Sequence, residues 1–437
     1  MHLPSNPMLP TWQEAHTART ADASMLATLL RASRARTLAL ADAYVAVLGA
    51  DLPVPCSSQL NPPLWELGHI GWFQEYWLTR NPQRQLGTLA DPDCPRTASL
   101  LAQSDALYNS SQVAHATRWH LPLPNLAATQ RYLAETLNTT LALLADSAQD
   151  DAALYFYRLA LFHEDMHGEA AVYMAQALGL ALPEVLAGKW QRAADEPVQA
   201  LRLKAGDWTL GYADVNQPSR MASGFAFDNE VAPHTVNLSA YEIDSQPVTW
   251  RRYLPFVANG GYTAAQWWSA QGRQWLRSAQ GCGPVAQPNG QAQVGPRFLR
   301  QVTRGNGEPA WERHHFGQWQ PLDKDAPACH LTYFEAEAWC RWAGRQLPTE
   351  AQWERAAMTR PGFHWGQVWE WTASTFSPYP GFEAHPYRDY SAPWFGNRPV
   401  LRGASWATAG RMAHPRYRNY FTPERNDLHA GFRTCTQ

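Results

Sequence analysis

Two histidines four residues apart, His163 and His167, lie in the apolar-periodic stretch LYFYRLALFHEDMHGEAAVYMAQAL. On an α-helix, positions i and i+4 stack on one face, so both imidazoles project the same way and make half of a site for a divalent transition metal. The string also reads H-E-x-x-H, the signature of zinc peptidases, in which Glu164 would be the general base. Such a peptidase takes its third ligand from downstream. Here Glu169 is too close on the same helix, and no H-x-x-G-x-x-H continuation follows. A third histidine from a neighbouring helix is geometrically simpler. His69, in PPLWELGHIGWFQEYW, sits mid-helix among aromatic residues, where a lone histidine is more often a packing residue than a ligand. Three histidines with open positions would suit a non-haem iron centre that binds both oxygen and a substrate.

The elements that must hold these residues are helices. Apolar periodicity predicts them over 22–48, 63–79, 126–144 and 152–180, with Pro62 and Pro63 at a helix start and Gly179 and Pro183 closing the last. Four long helices joined by loops imply an up-and-down bundle, a scaffold that commonly holds metals between facing helices. From about residue 197 the pattern changes to short strands and turns, in ALRLKAGDWTLG, HTVNLSAYEID and PVLRGAS, with helices over 332–343 and 349–357. The predicted organisation is therefore a helical domain over 1–195 and an α+β domain over 196–437, joined near 188–199.

At 437 residues the chain exceeds what one core usually organises. Lys plus Arg number 36 against 38 Asp plus Glu, which removes the electrostatic footprint of a general nucleic-acid binder. No run of 18 apolar residues suggests a membrane span, and MHLPSNPMLPTWQEAH lacks a signal pattern, so a cytoplasmic protein is expected. Cys56, Cys94, Cys282, Cys329, Cys340 and Cys435 are scattered without C-x-x-C spacing and read as small buried apolar residues. The 21 tryptophans, many beside Gly and Pro in the C-terminal half, suggest an irregular fold built on aromatic anchors.

Several strings carry a family resemblance. The helical half resembles the DinB-like domain. SGFAFDNEVAPHTV, PVTWRRYLPFVANGGY, FEAEAWCRWAGRQLPTEAQWE, VWEWTAS, LRGASWAT and the closing GFRTC resemble the formylglycine-generating-enzyme (sulfatase-modifying factor, C-type-lectin-like) domain. The tandem looks like the iron(II)-dependent sulfoxide synthases of ergothioneine biosynthesis (EgtB) and their relatives, the ovothiol and selenoneine (SenA) synthases. The family's pattern of a helix-borne histidine followed by H-x-x-x-H falls on His69, His163 and His167. The resemblance implies a four-helix bundle holding Fe(II), with hercynine, dioxygen and a chalcogen donor as substrates and a chalcogen joined to the imidazole ring. In RYRNYFTPERNDLHAGFR it assigns Asn419 and Tyr420 to hercynine and Arg425 to the donor.

Two departures from the family bear on the donor and the proton. An acidic residue that holds the donor's amine in some members is replaced by Phe421, and a proton-donating tyrosine aligns near Phe376, with Tyr379 kept three residues on. Together with NPPLWELGHIGWFQEYW and DALYNSSQVAHATRWHLPLP, they rank a selenosugar donor, and the selenoneine branch, first. A thiol donor (γ-glutamylcysteine or cysteine) ranks next, a zinc metallohydrolase third, and a non-catalytic binding module last, since fold does not fix function.

Overall fold

The computed structural model describes residues 10–213, 222–278, 283–286, 292–303, 305 and 307–436. Its N-terminal part is helical: α1 (Pro10–Arg19), α2 (Ala23–Leu48), α3 (Pro63–Trp77), α4 (Ser104–Tyr108), α5 (Leu126–Ala145), α6 (Asp151–Leu178) and α7 (Glu184–Ala187). The four long helices begin and end where local chemistry dictates. Asp22, Asn125 and Asp150 accept the backbone N–H groups of Met25, Ala128 and Ala153 at 2.8–2.9 Å, and Pro63 occupies the first turn of α3. Gly179, at φ +69°, closes α6 in the left-handed conformation. α2 and α3 each pack against both α5 and α6. α3 is buried almost all round, and Gly68 makes this possible: a Cβ there would lie 2.2 Å from the Tyr108 ring.

The C-terminal part is built of short strands and helices. β1 (Ala200–Leu203), β4 (Tyr241–Asp244) and β14 (Cys435–Thr436) form one antiparallel sheet, and β2 (Gly206–Leu210) pairs with β3 (His234–Leu238). β5 (Gly283–Ala286) pairs with β6 (Ala292–Gly295), and β7 (Leu299–Thr303), β8 (Pro309–His315) and β9 (Gln318–Pro321) form a meander. The sheet that matters for the site has the order β12-β11-β10-β13, from β10 (Trp369–Thr375), β11 (Pro399–Gly403), β12 (Asn419–Tyr420) and β13 (Ala430–Phe432). Its edge strand β12 pairs Asn419 with Leu401 and Tyr420 with Val400. Helix α11 (Glu350–Thr359) packs on β2, β10 and β11, while α8 (Trp250–Ala258) and α9 (Ala270–Arg277) pack against α10 (Tyr333–Trp342).

One hydrophobic core runs through both parts, with Phe162 of α6 5.1 Å from Phe225 across the junction. Buried ion pairs add direction to that contact. Arg411 grips Asp165 through two bonds of 2.6 Å, and Arg19 grips Glu230 at 2.8 and 3.0 Å. Such pairs fix register more than they stabilise, since desolvation offsets much of their attraction. No described helix is long and apolar enough to cross a membrane. Of the cysteines, Cys329, Cys340 and Cys435 are buried as expected. Cys56 is exposed and Cys94 half-buried, because both sit in loops, and Cys282 lies outside the described residues.

Candidate active site

α6 carries His163 and His167, and α3 carries His69. The structure brings the three together, with one ring nitrogen of each within 4.8 Å of the others. The Nε2 atoms of His163 and His167 are 3.2 Å apart. Two ligands at adjacent positions around an ion at about 2.1 Å would be separated by roughly 3.0–3.4 Å, so the pair already has a chelating geometry.

Neighbours set the orientation of two of the rings. His69 Nδ1–H donates to the Tyr108 carbonyl oxygen at 2.8 Å, and His167 Nδ1 is bonded to the Glu66 carboxylate. Both contacts leave Nε2 for the centre, the arrangement by which metal-ligating histidines are usually fixed. His163 is held by stacking on Phe73, with ring centroids 3.5 Å apart. Burial, and then the neighbouring His167, lower the His69 pKa to about 3; the same causes, with His69 added, hold His163 well below its ordinary value. Neutral imidazoles are the form that binds metal. The donor set therefore fits a three-nitrogen centre with open positions.

The H-E-x-x-H glutamate does not serve this centre. Glu164 faces α2, where Arg34 Nε and Thr37 Oγ1 donate to it at 2.8 Å, and it is absent from the wall of the cavity beside the histidines. One position along a helix turns a side chain by about 100°, so a residue next to His163 must point elsewhere. The zinc-hydrolase reading is thereby corrected: its general base is buried in an ion pair on the far side of the helix.

The cavity measures about 570 Å³ and opens between the helices and the strand domain. Along α6 the residues 163, 166, 167, 170 and 173 all line it, a helical face legible from spacing alone. Asn419, Tyr420 and Phe421 line it as well. Tyr420 stacks on Phe376 at 3.9 Å, and its hydroxyl donates to the Tyr390 carbonyl oxygen.

Two expected site residues are elsewhere. Arg425 is not in the cavity wall. Its Nε and Nη2 are bound to Asp427 at 2.6 Å each, and its guanidinium lies 5.1 Å from the Phe421 ring. Tyr379 is farther from the chemistry. It is buried in an ion network, donating to Glu350 at 3.2 Å and accepting from Arg402 at 3.0 Å, so it braces the fold rather than the cavity. The buried Arg433 is likewise structural, paired with Glu370.

Sequence reasoning missed several wall residues. Tyr390 and Tyr417 share a hydroxyl–hydroxyl bond of 3.0 Å, and Tyr417 also donates to the Met166 sulfur at 3.4 Å. Arg118 stacks 3.9 Å above Trp65 and bonds Asn61, and burial lowers its pKa. Glu169 accepts from Trp369 and Ser405 at 2.7 Å each, tying the histidine helix to the strand domain. Arg118 and Tyr390 lie in short 3-10 helices and Tyr417 outside any helix or strand, where no periodicity marks them.

Comparison with known proteins agrees with this architecture. The sulfatase-modifying factor enzyme 1-like domain family matches residues 187–367 and 362–437. The hercynine oxygenase of Mycobacterium tuberculosis is 30% identical over 462 residues, which span 93% of this chain and 97% of that one. That of Mycolicibacterium smegmatis is 31% identical over 461 residues, with the same coverage. The formylglycine-generating enzyme of Streptomyces coelicolor is 27% identical over 295 residues, 53% of this chain and 87% of the relative. The chain belongs to the hercynine oxygenase family and carries a sulfatase-modifying factor enzyme 1-like domain.

Proposed function

We propose that the protein is an iron(II)- and oxygen-dependent enzyme that joins a chalcogen to the imidazole ring of hercynine, with His69, His163 and His167 holding the iron on a DinB-like four-helix bundle. One observation carries the reading: the imidazoles of His69, His163 and His167 converge in the wall of a cavity that Asn419, Tyr420 and Phe421 also line, in a chain similar to hercynine oxygenases over nearly its whole length. Iron(II), when bound, supplies positions for dioxygen and for the substrate ring. The protein's own part is placement. Tyr173, Trp369, Tyr387, Tyr390, Tyr417 and Tyr420 line the cavity and offer aromatic faces to a trimethylammonium group, contacts worth about 0.5–2 kcal/mol. The Tyr390–Tyr417 hydroxyl pair is the proton source within the wall, in place of Tyr379.

For the donor, the first reading is a selenosugar, giving a carbon–selenium bond. Phe421 offers an apolar platform where an acid would hold an amine. Arg425 is paired with Asp427 rather than free for a peptide carboxylate. The second reading, γ-glutamylcysteine or cysteine, is favoured by Arg118 and Asp389, opposite charges that both line the cavity. The experiment is product mass from hercynine, iron(II) and air, with a selenosugar and γ-glutamylcysteine offered in parallel. A selenium adduct at the higher catalytic efficiency supports the first reading, and a sulfoxide adduct the second. Neither product, with no oxygen uptake, would end the proposal.

A further inference from the structure

A second cavity lies among α2, α3 and α6, with a volume of about 40 Å³. His167 is the residue whose side is shared between it and the large cavity: the two walls have no other described residue in common. The small cavity is lined by Leu40, Ala41, Leu52, Leu67, Ile70 and Met174, all buried. Few polar groups face it: Thr37 donates to Glu164 at 2.8 Å, Tyr44 donates to the Ala171 carbonyl oxygen at 2.6 Å, and one oxygen of the Glu66 carboxylate is bonded to His167.

These facts restrict the occupant. A buried water needs about two to four polar partners, and this wall is largely aliphatic; apolar cavities stay dry and take up apolar guests such as xenon. Of the reactants in the proposed function, hercynine and every chalcogen donor are polar and far larger than 40 Å³. Dioxygen alone is small, apolar and indifferent to hydrogen bonding. An unfilled hole in a packed core also destabilises in proportion to its volume, yet the wall keeps an alanine at 41 where a larger aliphatic residue would fill the space. We infer that this cavity is a holding site for dioxygen behind His167, separate from the cavity that takes the polar substrates. The assignment of the gas as dioxygen rests on the proposed oxygen-dependent function; the existence of an apolar gas site does not.

Two measurements on the full chain test it. Crystals pressurised with xenon should show the gas between Ala41 and Ile70 in the wild type and lose it in Ala41→Leu. The same variant should raise KM for oxygen severalfold while leaving KM for hercynine and iron affinity unchanged. Leu40→Ala, which enlarges the cavity, should raise xenon occupancy and serves if Ala41→Leu does not fold. An ordered water in place of xenon in the wild type would overturn the inference. So would a filled cavity in Ala41→Leu with an unchanged KM for oxygen. If the wild type takes up xenon but consumes no oxygen with hercynine and either donor, the gas site stands and the functional reading fails with its dioxygen assignment.

Discussion

His69 and Tyr108 are locked together through the gap left by Gly68: the His69 ring donates to the Tyr108 carbonyl oxygen at 2.8 Å while the Tyr108 side chain closes over the missing Cβ. The glycine that precedes it in α3 therefore governs the aim of this histidine. Gly68→Ala would put a methyl group 2.2 Å from the tyrosine ring, and overpacking of this kind costs about 1–3 kcal/mol. Loss of the carbonyl that orients His69 should weaken iron binding by about 10–100-fold. Iron titration beside thermal unfolding checks both. Unchanged affinity would show that Tyr108 does not set the ring.

His167→Ala separates metal binding from folding. The ring is half-buried, and the core between α2, α3 and α6 is aliphatic around it. The variant should keep its helical circular dichroism and a cooperative melt, yet retain no stoichiometric iron and no hercynine-dependent oxygen uptake. Full activity in this variant would remove the three-histidine centre.

The helices were legible because each carries its own boundary chemistry. Asp22, Asn125 and Asp150 are N-caps and Gly179 is a C-cap, so spacing and caps agreed within a few residues of the observed ends. The cavity-lining face of α6, with His163 and His167, was legible from helical spacing. Part of the strand domain was legible too: β1 to β4 and β11 fall in the strings read as strands, and α10 and α11 lie within two residues of their expected bounds. The β7–β8–β9 meander, with short and largely half-buried or exposed strands, and α8, with Pro255 inside it, were not. Site residues outside the long helices follow the fold rather than local spacing. Tyr379 shows the difference: sequence position put it near the proton donor, whereas the buried Glu350–Arg402–Arg418 network claims its hydroxyl and ring.

Tyr379→Phe follows from that placement. Removing the hydroxyl deprives Glu350 and Arg402 of a partner in a buried ion network, which costs about 1–3 kcal/mol. The turnover rate should stay near the wild-type value, because the residue is outside the cavity wall. A large fall in kcat with unchanged stability would restore Tyr379 to the chemistry.

Glu335 gives a pH signature of folding. Burial raises its carboxyl pKa from 4.5 to about 7, while Tyr262 and Thr332 hydrogen bonds only partly oppose that. Between those values the folded state holds a proton that the unfolded state has released. Stability from this group is therefore full below about pH 4.5 and is lost as pH rises through about 7. The half-buried His385, lowered to about 4 by desolvation, slopes the other way. The test is accordingly a difference between wild type and Glu335→Gln. Relative to the variant, the wild type should lose stability across that window in urea titrations. Parallel curves would mean that Glu335 is ionised throughout.

Phe421→Asp probes the donor directly. Phe421 stands in the cavity wall with the Arg425 guanidinium 5.1 Å from its ring and Asp427 holding that guanidinium from the other side. As phenylalanine it presents an apolar face, which suits a sugar ring and offers nothing to an ammonium group. An aspartate there would supply the missing anion for an amine and take away the platform. One charge-assisted hydrogen bond gained by a thiol donor is worth about 1.5–3 kcal/mol. The ratio of kcat/KM for γ-glutamylcysteine over a selenosugar should therefore rise by at least about tenfold. Competition between the two donors at fixed hercynine and oxygen measures the ratio without separate assays. If the wild type already prefers γ-glutamylcysteine and the aspartate changes nothing, the residue at 421 does not choose the donor, and the charges of Arg118 and Asp389 become the determinants.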